Sequence, residues 1–191
     1  MYSELGHDSI ALAELYLQAS WTARDEAVGF YEGLKGPAET RALLDQGAKE
    51  LDKDLIASVR KTVNFNLARV AHRGGYNSER DRYLEAFAAQ TPHDDLEQEA
   101  LTRFRTTIER IEPYYQDLAI ASFEAGLRNA ELDAPTRLRA TYLMADLLRR
   151  RGKTAAALPL YKEVREHPET PENIKALATE LHKQLRGNKN R

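Results

Sequence analysis

Apolar side chains recur at intervals of three and four residues along nearly the whole chain. The clearest stretch places Ile56, Val59, Val63, Leu67 and Val70 on one side of a single helix, and similar stripes occur near both ends. Alternating apolar and polar runs bounded by turn residues, which indicate half-buried strands, are missing. We therefore expect an all-α fold.

Glycine and proline separate these periodic segments, as they do in helices joined by short connections. This pattern predicts stacked antiparallel helical hairpins, about nine or ten helices in all, in a single domain over residues 1–186. One helix is expected to hold Phe30, Tyr31 and Leu34, and Pro113 either kinks one long helix or separates two. Residues 187–191 are expected to form a flexible basic tail.

The formal net charge of −2 hides an uneven distribution. The segment from Ala134 to Arg191 has 13 Lys and Arg against 6 Asp and Glu, a net of +7, which leaves −9 for the rest. Its densest basic run, Arg149 to Arg151, is either an anion-binding patch or charge favoured by the dipole at a helix C-terminus. The second interpretation is favoured because it needs no ligand.

No catalytic, cofactor or metal site is predicted, and the chain is not expected to be an enzyme. It has no cysteine, and its five histidines lack the spacing that places two ligands on one helix face. Gly152-Lys153-Thr154 lacks the earlier glycine of a phosphate loop, so Gly152 is interpreted as a helix stop and Thr154 as a helix cap. His93-Asp94-Asp95 is likewise explained by capping.

The segment from Ala145 to Val164 resembles a tetratricopeptide repeat, which places small residues where its two helices meet. Ala145 and Ala157 correspond to the two contact positions, Gly152 to the turn, and Tyr161 and Val164 to the inward pair. A degenerate copy covers Asn66 to Phe87. The resemblance implies hairpins stacked in a right-handed superhelix.

Three phrases, ALAELYLQASWTARD, ARVAHRGGYNSERDRYL and RATYLMADLLRRRGKTAAALPLYKEV, resemble the helical part of a bacterial family termed domain of unknown function 2225. Members of that family typically have Cys-x-x-Cys pairs, of the kind that bind zinc, ahead of the helices. Because this chain has no cysteine, the resemblance implies the helical half alone, as in a truncation that lacks the zinc-binding segment. It implies no function.

The leading hypothesis is a non-catalytic scaffold that binds a peptide or protein partner in a groove between helices. By repeat geometry, the residues expected to contact the partner are Asn64, Asn66, Arg69, Arg139 and Arg149. Two alternatives stay open: a nucleic-acid-associated protein that uses the basic C-terminal third, and an all-α enzyme with an unrecognised site. Self-association also stays open.

The N-terminal sequence lacks a basic-then-apolar signal pattern, and no stretch approaches the roughly 20 apolar residues that span a bilayer. We therefore expect a cytoplasmic protein without a membrane partner.

Overall fold

A computed structural model describes residues 2–28 and 37–188, and within these ranges it contains helices and no strand. The all-α prediction is therefore confirmed. In chain order the helices are α1 (Tyr2–Val28), α2 (Pro37–Leu51), α3 (Ala57–Gly74), α4 (Asn77–Ala89), α5 (Asp95–Thr106), α6 (Glu112–Leu127), α7 (Ala134–Arg150), α8 (Thr154–Glu166) and α9 (Glu172–Asn188). The prediction for Phe30, Tyr31 and Leu34 lies outside the described residues.

A π-helical turn, Thr107–Ile111, joins α5 directly to α6 and so keeps the chain helical up to Pro113. Proline cannot donate to the carbonyl of the preceding turn, and a locally wider turn tolerates the missing bond. If α5, the π-turn and α6 are counted as one continuous helix, the described ranges contain eight helices. The expected nine or ten helices are not confirmed.

The chain divides into two compact units. Unit 1 combines Met1–Ala23 with Arg110–Arg191, and unit 2 is Arg24–Glu109. The single domain over residues 1–186 stays a prediction. Helix α9 extends to Asn188, two residues into the segment expected to be a flexible tail, and residues 189–191 lie outside the described part.

Unit 1 is built around α7, α8 and α9, with α6 against α7 and the start of α1 in the same core. On α1, Ile10, Ala13 and Leu17 are buried, as their spacing predicts. Leu12 and Leu15, whose apolar character would widen that stripe, are 43% and 68% exposed. The buried face of α1 is therefore narrower than the sequence suggests, because Leu12 and Leu15 point away from the core.

Unit 2 buries the facing sides of α2, α3, α4 and α5 around Leu44, Leu67, Phe87 and Phe104. The apolar stripe predicted on α3 starts before the helix itself and before its buried face. Ile56 precedes the helix in an extended conformation and is 71% exposed, and Val59 in the first turn is 42% exposed.

No described helix combines the length and apolar character needed to cross a membrane.

Glycine sets the turn that joins α7 to α8. Gly152 has a φ of 71°, in the left-handed region where glycine is favoured. The Lys153 N–H donates to the Leu148 carbonyl and the Gly152 N–H to the Arg149 carbonyl, which together close a Schellman motif. The predicted cap is wrong in detail, because Thr154 is the first residue of α8 and the N-cap, Lys153, has no side-chain cap bond.

A cationic groove between α8 and α9

Helix α8 packs one face against α7 and another against α9. Ala157, Tyr161 and Val164 of α8 are fully buried, and Ala178 and Leu181 anchor α9 in the same core. Beside this contact the two helices leave a groove of about 710 Å³, within the size range of sites that bind small ligands. The groove is lined by Leu158, Pro159, Lys162, His182, Lys183, Arg186 and Gly187.

Helical spacing brings these side chains to the groove. Pro159 and Lys162 lie one turn apart on α8, as do Lys183 and Arg186 on α9. The three cations are exposed, and none forms an ion pair with a carboxylate in the described ranges. Leu158 and Pro159 add apolar surface. The groove therefore combines an apolar wall with three cations that lie outside any ion pair among the described residues.

His182 is the buried polar group of this groove, with only 7% of its surface exposed. The Arg165 Nη1 lies 3.2 Å from His182 Nδ1 and joins α8 to α9. Because a guanidinium can only donate, Nδ1 must accept, and the ring proton therefore resides on Nε2. That Nε2–H has no hydrogen-bond partner among the described residues and is not one of their fully buried polar atoms, so it faces solvent in the groove and can donate to an acceptor there.

The charges around His182 favour its neutral form. Burial lowers the pKa of His182, and the positive charges of Arg165 and Arg186 lower it further. Lys162 acts in the same direction, whereas Glu166 opposes it. At neutral pH the ring is thus an uncharged N–H donor among cations.

Gly187 leaves open space at the end of the groove. A Cβ atom built on Gly187 would meet no heavy atom within 4 Å. Since Gly187 lies within α9 and needs no special backbone conformation, a larger side chain can be placed there without strain. This lining position can therefore carry a bulky ring without a change in the charge of the groove.

Between α7 and α8 lies a second charged cluster, which is internally satisfied. Asp146 accepts from Arg149 Nη2 at 2.8 Å, from Arg150 Nε at 2.7 Å and from the Tyr161 hydroxyl at 3.3 Å. Burial opposes its charge, but the two guanidinium groups outweigh burial and hold the pKa of Asp146 well below its usual range. This cluster joins the two helices.

Two tyrosines near Asp146, Tyr142 and Tyr161, are partly and fully buried respectively, and burial makes them poor acids. It raises the pKa of Tyr142 to about 12, and it raises the pKa of Tyr161, with the Asp146 charge acting in the same direction. The two rings lie 6.1 Å apart in an edge-to-face arrangement. We therefore assign these groups to structure rather than to proton transfer.

The five residues predicted to contact a partner differ in exposure, and two of them are buried. Asn64 and Arg149 are buried, at 5% and 8% exposure, with Arg149 bound to Asp146. Asn66 and Arg69 lie together on α3, where Arg69 Nη1 donates to the Asn66 Oδ1 at 3.3 Å. Arg139 is exposed on α7 in an ion pair with Glu14 of α1.

These five positions are also divided between the two units, with Asn64, Asn66 and Arg69 in unit 2 and the other two in unit 1. Of the two predicted contact residues in unit 1, Arg149 is buried and Arg139 is exposed.

The groove itself was not predicted from the sequence. Its signal is the recurrence of Lys and Arg one turn apart on two adjacent helices, on the side opposite the apolar stripes. Residue spacing does not identify His182 as a site residue, because its partner, Arg165, is on another helix.

Within the described ranges, no three His, Cys, Asp or Glu side chains cluster as a metal site would require. Compared with protein-family models, with curated proteins and with solved structures, the chain matches none of them.

Proposed function

We propose that this chain is a non-catalytic protein-interaction module that holds a segment of a partner protein in the groove between α8 and α9. The observation that supports this proposal is the groove itself, which presents cations outside any ion pair, an apolar wall and a histidine N–H donor that has no acceptor among the described residues. Such a combination favours recognition, since polar groups fix orientation while apolar surface adds affinity.

The packing of α7 on α8 supports a hairpin of the tetratricopeptide-repeat kind. Ala145 and Ala157, the two small contact residues of the motif, are both fully buried, and Gly152 makes the turn. Tyr161 and Val164 fill the space between the helices. We propose that these hairpins continue as a right-handed stack, with α9 covering α8 as the first helix of a next repeat would.

Binding at this groove needs little rearrangement. Its walls are fixed by the buried contacts of α8 and α9 and by the Arg165–His182 bond, so the site is formed before a partner arrives. A preformed site avoids part of the entropy cost of ordering side chains on binding. The proposed mechanism is therefore docking of a segment, without bond making or breaking.

Nucleic acid is the second candidate, because phosphates are attracted to the same cations. Proteins that bind single strands usually add aromatic side chains on which bases stack. No Phe, Tyr or Trp is among the residues that line this groove. The apolar wall of Leu158 and Pro159 thus suits a peptide side chain better than a phosphate backbone.

Selection from a displayed random-peptide library tests the proposal. The full chain is used as bait, and each selected peptide is measured again on the Gly187→Trp variant, in which a ring is added at a lining position of the groove. The control is Ala121→Trp, which adds the same ring to an exposed position on α6. The proposal expects peptides that lose binding to Gly187→Trp but not to Ala121→Trp, and it fails if no such peptide is found.

A further inference from the structure

We infer that the partner segment is acidic and amphipathic, with a carboxylate that accepts from the His182 Nε2–H and an aliphatic side chain that packs on Leu158 and Pro159. This inference rests on the proposed function and specifies the chemistry of the partner. It is carried by the geometry of a single site, in which a histidine N–H donor, three cations and an apolar wall meet.

The His182 Nε2–H determines which ligand group can bind beside it. A ligand that displaces water from this N–H must supply an acceptor in its place, because a donor covered without an acceptor costs free energy. Because Arg165 occupies Nδ1, His182 offers a donor to the groove and no acceptor. The ligand group must therefore be an acceptor, such as a carboxylate or a carbonyl oxygen.

The charge of the groove narrows the choice of acceptor. Lys162, Lys183 and Arg186 surround this donor, and in the described ranges no carboxylate pairs with any of them. Among acceptors, an anionic group gains most from such surroundings, since a charged acceptor forms a stronger hydrogen bond and attracts the nearby cations. The donor and its neighbours together select a carboxylate over a neutral carbonyl.

The apolar wall sets a further requirement on the ligand. A chain of carboxylates alone would leave Leu158 and Pro159 facing water, whereas an adjacent aliphatic residue would cover them. A phosphate backbone has no such apolar group to offer. The occupant that satisfies the whole groove is therefore a peptide in which acidic and aliphatic residues are neighbours.

Fluorescence anisotropy on the full chain provides the test, with a labelled peptide of alternating Glu and Leu as probe. A Gln–Leu peptide of the same length and a single-stranded oligothymidylate serve as the comparison ligands. We expect the Glu–Leu peptide to bind more tightly than either. Equal binding of the Gln–Leu peptide would overturn the role of charge, and tighter binding of the oligonucleotide would replace the peptide by nucleic acid.

Charge reversal then locates the site. The triple variant Lys162→Glu, Lys183→Glu and Arg186→Glu should weaken Glu–Leu binding by about tenfold or more, on the scale of several exposed ion pairs. The matched control reverses Lys49, Lys153 and Arg105, which are exposed, form no ion pair with the described residues and change the net charge equally. Equal weakening in both variants would show nonspecific attraction and overturn the inference.

Two substitutions of His182 separate binding from folding. His182→Gln retains a side-chain N–H donor and an oxygen that can accept from Arg165, whereas His182→Phe retains only the apolar bulk. We expect near-normal affinity for the first variant and a loss for the second, with unchanged circular dichroism in both. Equal affinity of the two variants would remove His182 from the contact.

Nuclear magnetic resonance provides an independent readout. The His182 ring is identified by the loss of its signal in His182→Gln. A bound carboxylate should shift this signal and raise the pKa of His182, opposing the effect of burial, Lys162, Arg165 and Arg186 and adding to that of Glu166. An unshifted ring at saturating peptide would overturn the contact.

The two proposals fail in different ways. If display selection yields groove-dependent peptides that are neutral or basic, the interaction module stands and the acidic partner is wrong. If no selected peptide depends on the groove, both are wrong. Light scattering adds a third outcome, since concentration-dependent dimers that disappear in Gly187→Trp would identify a second copy of the chain as the occupant and overturn the peptide.

Discussion

Replacing Asp146 by Asn should destabilise unit 1 strongly, because the change removes the negative charge around which α7 and α8 meet. The carboxylate binds Arg149, Arg150 and the Tyr161 hydroxyl, and its side chain is only 19% exposed. An asparagine of the same shape leaves the two guanidinium groups beside a neutral amide. The variant thus keeps the packing and removes the electrostatic interaction.

The magnitude follows from burial. Removing one partner of a buried ion pair costs about 3–5 kcal/mol, whereas an exposed pair is worth about 1 kcal/mol or less. Arg149 is 8% exposed, but Arg150 is 19% exposed at its side chain, so the lower end of the first range applies. We expect Asp146→Asn to lower the free energy of unfolding by about 3 kcal/mol.

The loss should depend on pH in a defined direction. Because the folded protein holds the pKa of Asp146 below its unfolded value, the carboxylate stabilises the fold above the unfolded pKa of about 3.9. This contribution is lost as the pH falls through the lower, folded pKa. The difference in stability between wild type and variant should therefore be constant near neutral pH and shrink below pH of about 4.

Urea denaturation followed by tryptophan fluorescence measures this loss. Trp21 is the single tryptophan, and it packs against the core that contains Tyr161. The matched control is Asp117→Asn, which removes an ion pair with Arg151 whose carboxylate side chain is 57% exposed. We expect the control to lose less than about 1 kcal/mol. Equal losses in the two variants would refute the assignment of Asp146 as a buried electrostatic anchor.

Three further variants test unit 2, each by urea denaturation followed by circular dichroism. Phe104→Ala should cost about 3–5 kcal/mol, since Phe104 is fully buried, and a loss below about 1 kcal/mol would contradict that core. Gly75→Ala should cost about 1–2 kcal/mol because Gly75 has a φ of 76°, and an unchanged midpoint would exclude the left-handed turn. Asp94→Ala should cost about 1 kcal/mol by removing the capping box with Glu97, and Asp95→Ala, which leaves the box intact, should cost less.

Local signals in the sequence predict the helix ends well. Asp94 and Asp133 each accept from a backbone N–H in the first turn of a helix, and Gly75 and Gly152 end helices in left-handed conformation. These features depend on neighbouring residues alone, so they can be deduced from the sequence.

Features that depend on distant contacts are less predictable. The exposure of Leu15 and Ile56 could not be deduced, because an apolar stripe shows which side chains can be buried and not which ones a neighbouring helix covers. The continuity of the helix before Pro113 depends on a π-turn, which has no clear sequence signal.

The groove shows why a site can escape a motif search even when its elements are correctly placed. Taken alone, His182 is one of five scattered histidines, and the basic residues of α8 and α9 are typical of solvated helix faces. Their combined property arises when Arg165 donates to Nδ1 across seventeen residues and so fixes the ring proton on Nε2. The groove can bind an acceptor because Arg165 occupies Nδ1 and leaves Nε2–H to donate. This arrangement depends on the pairing of α8 with α9, and the sequence of either helix alone does not show it.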